Sequence, residues 1–116
     1  MSQILNDYLS SRLPLPNVAA WGARLSDRRL SSRSYKDWLP EPRIEQTVAR
    51  LAQIAESLLQ HDIRPLRLCW TFELARIHLA FRPDGNCLVI FLEKAPGAFE
   101  EHVQAILQEF LTLPTV

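Results

Sequence analysis

The sequence predicts an α+β domain built in three layers, with helices on both faces of a β-sheet, and three observations carry that expectation. Leu66, Leu68, Trp70, Phe72 and Leu74 alternate with Arg67, Cys69, Thr71 and Glu73, the two-residue period of a strand with one buried face. Cys87 to Leu92 is apolar at every position, and a strand with no polar side needs cover on both of its faces. The apolar residues between Ile44 and Gln60 form a wide helical stripe, the signature of a helix that covers such a sheet. The order of elements along the chain reads α-β-β-α-β-β-β-α.

Ile4, Leu5, Tyr8, Leu9 and Leu13 fall at helical spacing, so residues 2–12 read as a short amphipathic helix that the prolines at 14 and 16 stop. Val18 to Leu25 is apolar at nearly every position and includes Ala19, Ala20, Gly22 and Ala23. It reads as an interior strand whose small residues permit close contact with a neighbouring strand or a covering helix. Ser26 to Arg29 makes a polar turn. Leu30 to Tyr35 returns as a thin, serine-rich strand whose polarity suits the edge of a sheet.

Trp38-Leu39 is an apolar anchor ahead of Pro40-Glu41-Pro42, and prolines are tolerated in a first helical turn because its N–H groups lack partners anyway. The helix Ile44 to Gln60 then carries Ile44, Val48, Leu51, Ala52, Ile54, Ala55, Leu58 and Leu59 opposite Glu45, Arg50, Gln53 and Glu56. His61-Asp62 closes it, with His61 placed to complement the helix dipole. After the Leu66 strand, Ile77, Leu79 and Phe81 continue its period, and Pro83-Asp84-Gly85-Asn86 turns the chain into Cys87 to Leu92. Lys94 to Gly97 breaks the sheet. Ala98 to Leu111 forms the last helix, with Phe99, Val103, Ile106, Leu107, Phe110 and Leu111 on its buried face.

At 116 residues the chain is one domain, 1–116, long enough for a core of its own. Thirteen Lys and Arg balance thirteen Asp and Glu, so no net charge steers the molecule to nucleic acid. The segment Arg24 to Arg43 is nonetheless basic, and Glu93 to Val116 acidic. No segment reaches the roughly 18 apolar residues of a membrane span, and residues 1–7 lack the pattern of a signal peptide, so the expected location is the cytoplasm. Cys69 and Cys87 lack CxxC spacing and read as buried core thiols rather than as a disulfide or as metal ligands with His78 or His102.

Chemistry has little to stand on. Gly22, Gly85 and Gly97 never cluster, so there is no phosphate loop or dinucleotide fingerprint. Asp84-Gly85 lacks the further oxygen ligands of a calcium loop. Ser31, Ser32 and Ser34 have no nucleophile elbow around them. His61, His78 and His102 read as a helix end, an out-of-phase strand position and a helix start. Trp21, Trp38 and Trp70 read as core. No catalytic residue, cofactor or metal site is expected. Arg28, Arg29, Arg33 and Lys36, on one turn and the following edge strand, form the candidate polar contact surface, for phosphate, an acidic protein face or anionic lipid, set against a solvated edge kept soluble by charge.

Three segments together resemble the roadblock family of dynein-light-chain-like domains. They are the strand Val18-Ala19-Ala20-Trp21-Gly22-Ala23, the helix Ile44 to Gln60, and the hairpin Arg82-Pro83-Asp84-Gly85-Asn86-Cys87-Leu88-Val89-Ile90. The likeness spans residues 2–111, and departs from the family habit at Asp27-Arg28-Arg29, where an acidic residue with glycine is usual. It implies a five-stranded antiparallel sheet of roadblock/profilin-like type, with the long helix on one face and the terminal helices on the other. It also implies a homodimer in which the edge strand Leu66 to Glu73 and the helix Ile44 to Gln60 meet their symmetry mates. Family members act without catalytic groups as scaffolds or regulators, many for Ras-like small GTPases, some bacterial ones by helping GTP hydrolysis.

The expected function is therefore a cytoplasmic homodimeric adaptor that binds another protein, a small GTPase first among them. The candidate interface is Ile44, Val48, Leu51, Ala52, Ala55, Leu58, Leu66, Leu68 and Trp70. A helix stripe wider than one sheet face covers, and an edge strand this apolar, give dimerisation a physical motive. Changing Leu51 to Asp should unfold the chain if Leu51 faces the sheet, whereas Ala52 is the candidate outward position. The alternatives are a secretion-chaperone-like dimer holding a client segment and a domain sensing a small molecule in a cavity.

Overall fold

The computed structural model describes residues 3–94, 100–114 and 116. Helix α1 (Gln3–Ser10) leads into strands β1 (Val18–Arg24) and β2 (Leu30–Ser34). Helix α2 (Glu41–Gln60) follows, then β3 (Arg67–Thr71), β4 (Ala75–Phe81), β5 (Cys87–Glu93) and α3 (Glu100–Thr112). The strands make one sheet in the order β2-β1-β5-β4-β3, every pair antiparallel. The serine-rich β2 is an edge, and the apolar β1 and β5 are interior.

Two clusters of buried side chains, one on each sheet face, make the three layers. On one face α1 and α3 pack Leu5, Leu9, Val103, Leu107 and Phe110 against Trp21, Leu88 and Ile90. The Tyr8 hydroxyl donates to the Ile106 carbonyl at 2.9 Å and ties the two helices together. On the other face α2 sets Ile44, Val48, Ala52 and Ala55 against Ala20, Leu79, Val89 and Phe91. β5 is buried along both faces up to Leu92, as an unbroken apolar strand requires.

Gly22 is a point of close approach between α2 and the sheet. A Cβ there would lie 2.5 Å from Val48 Cγ2 and 3.0 Å from Ile44 Cγ2, so α2 sits as low as it does because β1 has no side chain at that position. At the far end of the sheet the two hairpin turns are lashed together. Asn86 Oδ1 accepts the Ser26 N–H at 2.9 Å, Gly85 takes φ 91°, and Asp84 Oδ1 accepts the Asn86 N–H. Arg82, buried beside them, donates to the Phe110 carbonyl at 2.7 Å and satisfies an acceptor at the C-terminal end of α3.

Several expectations need correction. α2 begins at Glu41, three residues ahead of Ile44, so Pro42 lies inside its first turn, where it displaces no hydrogen bond. The alternation from Leu66 to Leu74 is not one strand face. Phe72 N–H bonds the Ala75 carbonyl, closing a tight turn after Thr71, and Phe72 and Leu74 stand 51% and 76% exposed. Trp38 is 61% exposed while its neighbour Leu39 is buried. Cys69 is exposed and only Cys87 is buried. Ala52, the candidate outward residue, is fully buried, and Leu51 is half-buried at the rim of the same cluster. Ser2, the Pro96-Gly97 break, and Ala98 and Phe99 of the last helix lie outside the described residues.

Candidate partner-binding surface

α2 lies over β1 and β2 and touches β4 lightly. Among the described residues, no helix covers the β3 side of that sheet face. Leu51, Leu68, Trp70 and Ile77 line the margin and are half-buried against the α2 core. Leu66 and Phe72, which flank β3, and Leu74 in the turn after it are exposed. Exposed apolar side chains flanking a half-buried apolar margin mark a candidate contact surface.

The sequence-derived interface residues divide in two. Ile44, Val48, Ala52 and Ala55 are spent on the chain's own core at zero exposure and offer nothing to a partner. Leu51, Leu58, Leu66, Leu68 and Trp70 keep part of their surface open. The reason is helical phase: Ile44, Val48, Ala52 and Ala55 repeat at three or four residues and form the contact line, while Leu51 and Leu58 lie to one side of it. Spacing alone showed the stripe but not which part of it the sheet takes.

β3 is also an open edge. Its bonds to β4 run through Leu66 and Phe72 at the two ends, and the register pairs Arg67 with Ala80 through Thr71 with Arg76. Antiparallel alternation then gives the even-numbered residues to β4 and turns the N–H and C=O of Arg67, Cys69 and Thr71 toward the free side.

The cations of the candidate polar surface each have a local neighbour. Arg29 closes on Asp27 at 2.6 Å within its own turn, Arg28 reaches Glu56 at 3.3 Å, and Lys36 lies 3.4 Å from Glu93. Arg33 stacks over the Tyr35 ring at 5.7 Å. The four cations thus have separate anionic or aromatic neighbours.

A polar cluster under α3 was not visible in the sequence. His78 is 3% exposed, with Nε2 3.2 Å from Glu100 Oε1 but without hydrogen-bond alignment. Gln104 Nε2 lies 3.4 Å from His78 Nδ1, Arg67 donates to Gln104, and Arg76 pairs with Glu100. Only the fold gathers these residues, from β3, β4 and α3. Burial holds the His78 pKa below its ordinary value, outweighing the attraction of Glu100. An unfolded histidine titrates near about pH 6.5, so on acidification the unfolded chain takes up the proton first. Stability should therefore be full above that pH and fall as pH drops through it toward the lower folded pKa. Glu56 and Asp84, held low mainly by Arg24 and Arg82 against the cost of burial, lose their contribution only in the carboxylate range. Urea midpoints measured from about pH 8 to about pH 5 should decline, and His78→Gln should flatten that decline.

Among the described residues no group of three or more His, Cys, Asp and Glu could hold a metal ion, and no helix is long and apolar enough to cross a membrane. Burial pushes the Cys87 thiol up to about 12, which leaves it protonated and unreactive.

No protein-family model matches the chain, and no curated protein matches it in sequence. Its shape is matched. Myxococcus xanthus MglB superposes with a TM-score of 0.66 at 9% identity, covering 97% of this chain and 90% of MglB. A Roadblock/LC7 domain from Streptomyces avermitilis superposes with a TM-score of 0.57 at 12% identity, covering 84% of this chain and 88% of that one. The chain has the roadblock fold.

Proposed function

We propose that this chain is a non-enzymatic, cytoplasmic adaptor or regulator that works as a homodimer and binds another protein, a Ras-like small GTPase in the first instance. The observation that carries the reading is the apolar margin between α2 and β3, joined to a β3 edge whose outward backbone groups have no strand partner among the described residues. A second copy related by a two-fold axis would pair β3 with β3, merge two sheets and cover Leu68 and Trp70. The partner class comes from the resemblance to roadblock domains, supported by a shared fold with MglB. Such a dimer needs no catalytic side chain. It would bind one conformation of its partner's switch loops more tightly than another and shift the population by that difference.

The dimer has a checkable register. The antiparallel pairing that uses all of β3, Arg67–Thr71, is centred on Cys69. It sets that residue opposite its own copy, about 5.5 Å between Cα atoms for a hydrogen-bonded pair, within the range a disulfide spans. Light scattering at tens of micromolar should give twice the chain mass; a single-chain mass would end the dimer reading. Mild oxidation with diamide, which takes up the two protons and two electrons that the thiols lose, should trap a covalent dimer on a non-reducing gel. Cys69→Ser should abolish the trapped species, because buried Cys87 cannot reach a partner. Retention of the protein on a GTPase loaded with a non-hydrolysable GTP analogue, and not with GDP, tests the partner.

A further inference from the structure

At the hairpin end of the sheet, Arg24, Ser26, Arg28, Glu56, Leu59 and Phe81 line an open cavity of about 200 Å³. Arg24 projects from β1 and is only 7% exposed. One arm of its guanidinium lies against Glu56 Oε1 as an ion pair, while its Nε–H has no acceptor and that Oε1 has no aligned donor. Arg28, at φ 72° in the β1–β2 turn, reaches the same carboxylate from the solvent side at 3.3 Å. Two guanidinium groups thus share one carboxylate, since the neighbouring Arg29 and Asp27 neutralise each other. The cavity thus holds one more cation than anion: Arg24 is buried and paired with Glu56, and Arg28, still open to solvent, carries the excess. Its rim is stiff, because Ser26 is bonded to Asn86 and Gly85 packs beside Ser26.

We propose that this cavity is an oxyanion site, in which a carboxylate or phosphate group seated between Arg24 and Arg28 supplies the second negative charge that Glu56 alone does not. Arginine suits the task because its planar fork can serve two acceptors at once. The anion would draw Arg28 inward from its exposed position, and the buried Arg24 would provide the less hydrated, more strongly attracting half of the site. Its two arginines come from β1 and the β1–β2 turn, which β5 and β4 separate from the β3 edge in the sheet.

The test is a titration of the full chain with inorganic phosphate and, separately, with sodium acetate, at constant ionic strength with chloride as reference. The side-chain Nε–H resonance of Arg24 and the melting temperature are the readouts. A saturable shift of that resonance, weakened at least fivefold in Arg28→Gln, is the expected result. Glu56→Gln should bind the anion several-fold more tightly, because the resident competitor is gone. Saturation by phosphate alone assigns a tetrahedral ligand, and saturation by acetate assigns a carboxylate such as an acidic side chain. Shifts that stay linear, match chloride and are unchanged in Arg28→Gln would overturn the proposal. Arg28 is largely exposed, so that variant folds whether or not the site is real.

Discussion

Replacing Gly22 with alanine should cost about 1–3 kcal/mol of folding free energy, the usual range for overpacking a close-packed core, and replacing it with valine should cost more. An added Cβ meets Val48 Cγ2 at 2.5 Å and Ile44 Cγ2 at 3.0 Å. Both neighbours are β-branched and sit on a helix, where one χ1 rotamer dominates, so neither can turn aside. The clash must lift α2 from β1 or bend the strand. Against a total stability of about 5–15 kcal/mol for a domain of this size, the valine variant is expected to lose a large fraction of its stability while remaining folded in the absence of denaturant. Urea unfolding followed by circular dichroism measures both. Val48→Ala should recover part of the loss in the Gly22→Ala background although it costs stability alone, a non-additivity expected only of residues in contact. A neutral Gly22→Ala would show that α2 does not approach the sheet at this point.

Trp70→Asp should convert the proposed dimer to monomers while leaving the fold intact. Trp70 is half-buried at the edge of the α2 core, so in the single chain the carboxylate can reach water, whereas in the dimer it would be enclosed. Truncating a central aromatic anchor commonly costs 2 kcal/mol or more of association energy, and an enclosed, unpaired charge adds to that. The dissociation constant should rise by a factor on the order of a hundred. Light scattering across a dilution series reads the change, and far-ultraviolet circular dichroism checks the fold. Trp38→Asp is the matched control. Trp38 is the more exposed of the two tryptophans but lies in the loop before α2, away from β3, so the mass should not change. A Trp70→Asp protein that remains dimeric would move the interface elsewhere.

Element type and order were legible along most of the chain because burial leaves a periodic trace. β5 had to be covered on both sides since it has no polar face, and two helical stripes were available to cover it. The small residues of β1 announced a close approach, and Gly22 under Val48 is where it occurs. The turn at Phe72–Ala75 was not legible, because it contains neither glycine nor proline and interrupts an apolar alternation that reads straight through it. That concealed turn is also why Phe72 and Leu74 were assigned to a buried face and stand exposed.

The candidate surface was legible as a surplus and not as an address. Periodicity shows that α2 has more apolar width than it needs, but choosing between Ala52 and Leu51 depends on where α2 is laid across the sheet. Its position over β1 and β2 buries Ile44, Val48, Ala52 and Ala55 and leaves Leu51 and Leu58 at the margin. His78 could not be placed with Glu100 and Gln104, nor Arg24 with Glu56, because those pairs join residues far apart in sequence and leave no local pattern.

By itself the sequence determined the class of fold, the order of its elements and the excess of apolar side chains, because each follows from the local spacing of polar and apolar residues. Only the tertiary structure decided which of those side chains stay at the surface, which strand edge remains open, and which buried charges meet. Those outcomes depend on how the helices are laid across the sheet, and a helix can be laid in more than one position without any change in its own periodicity.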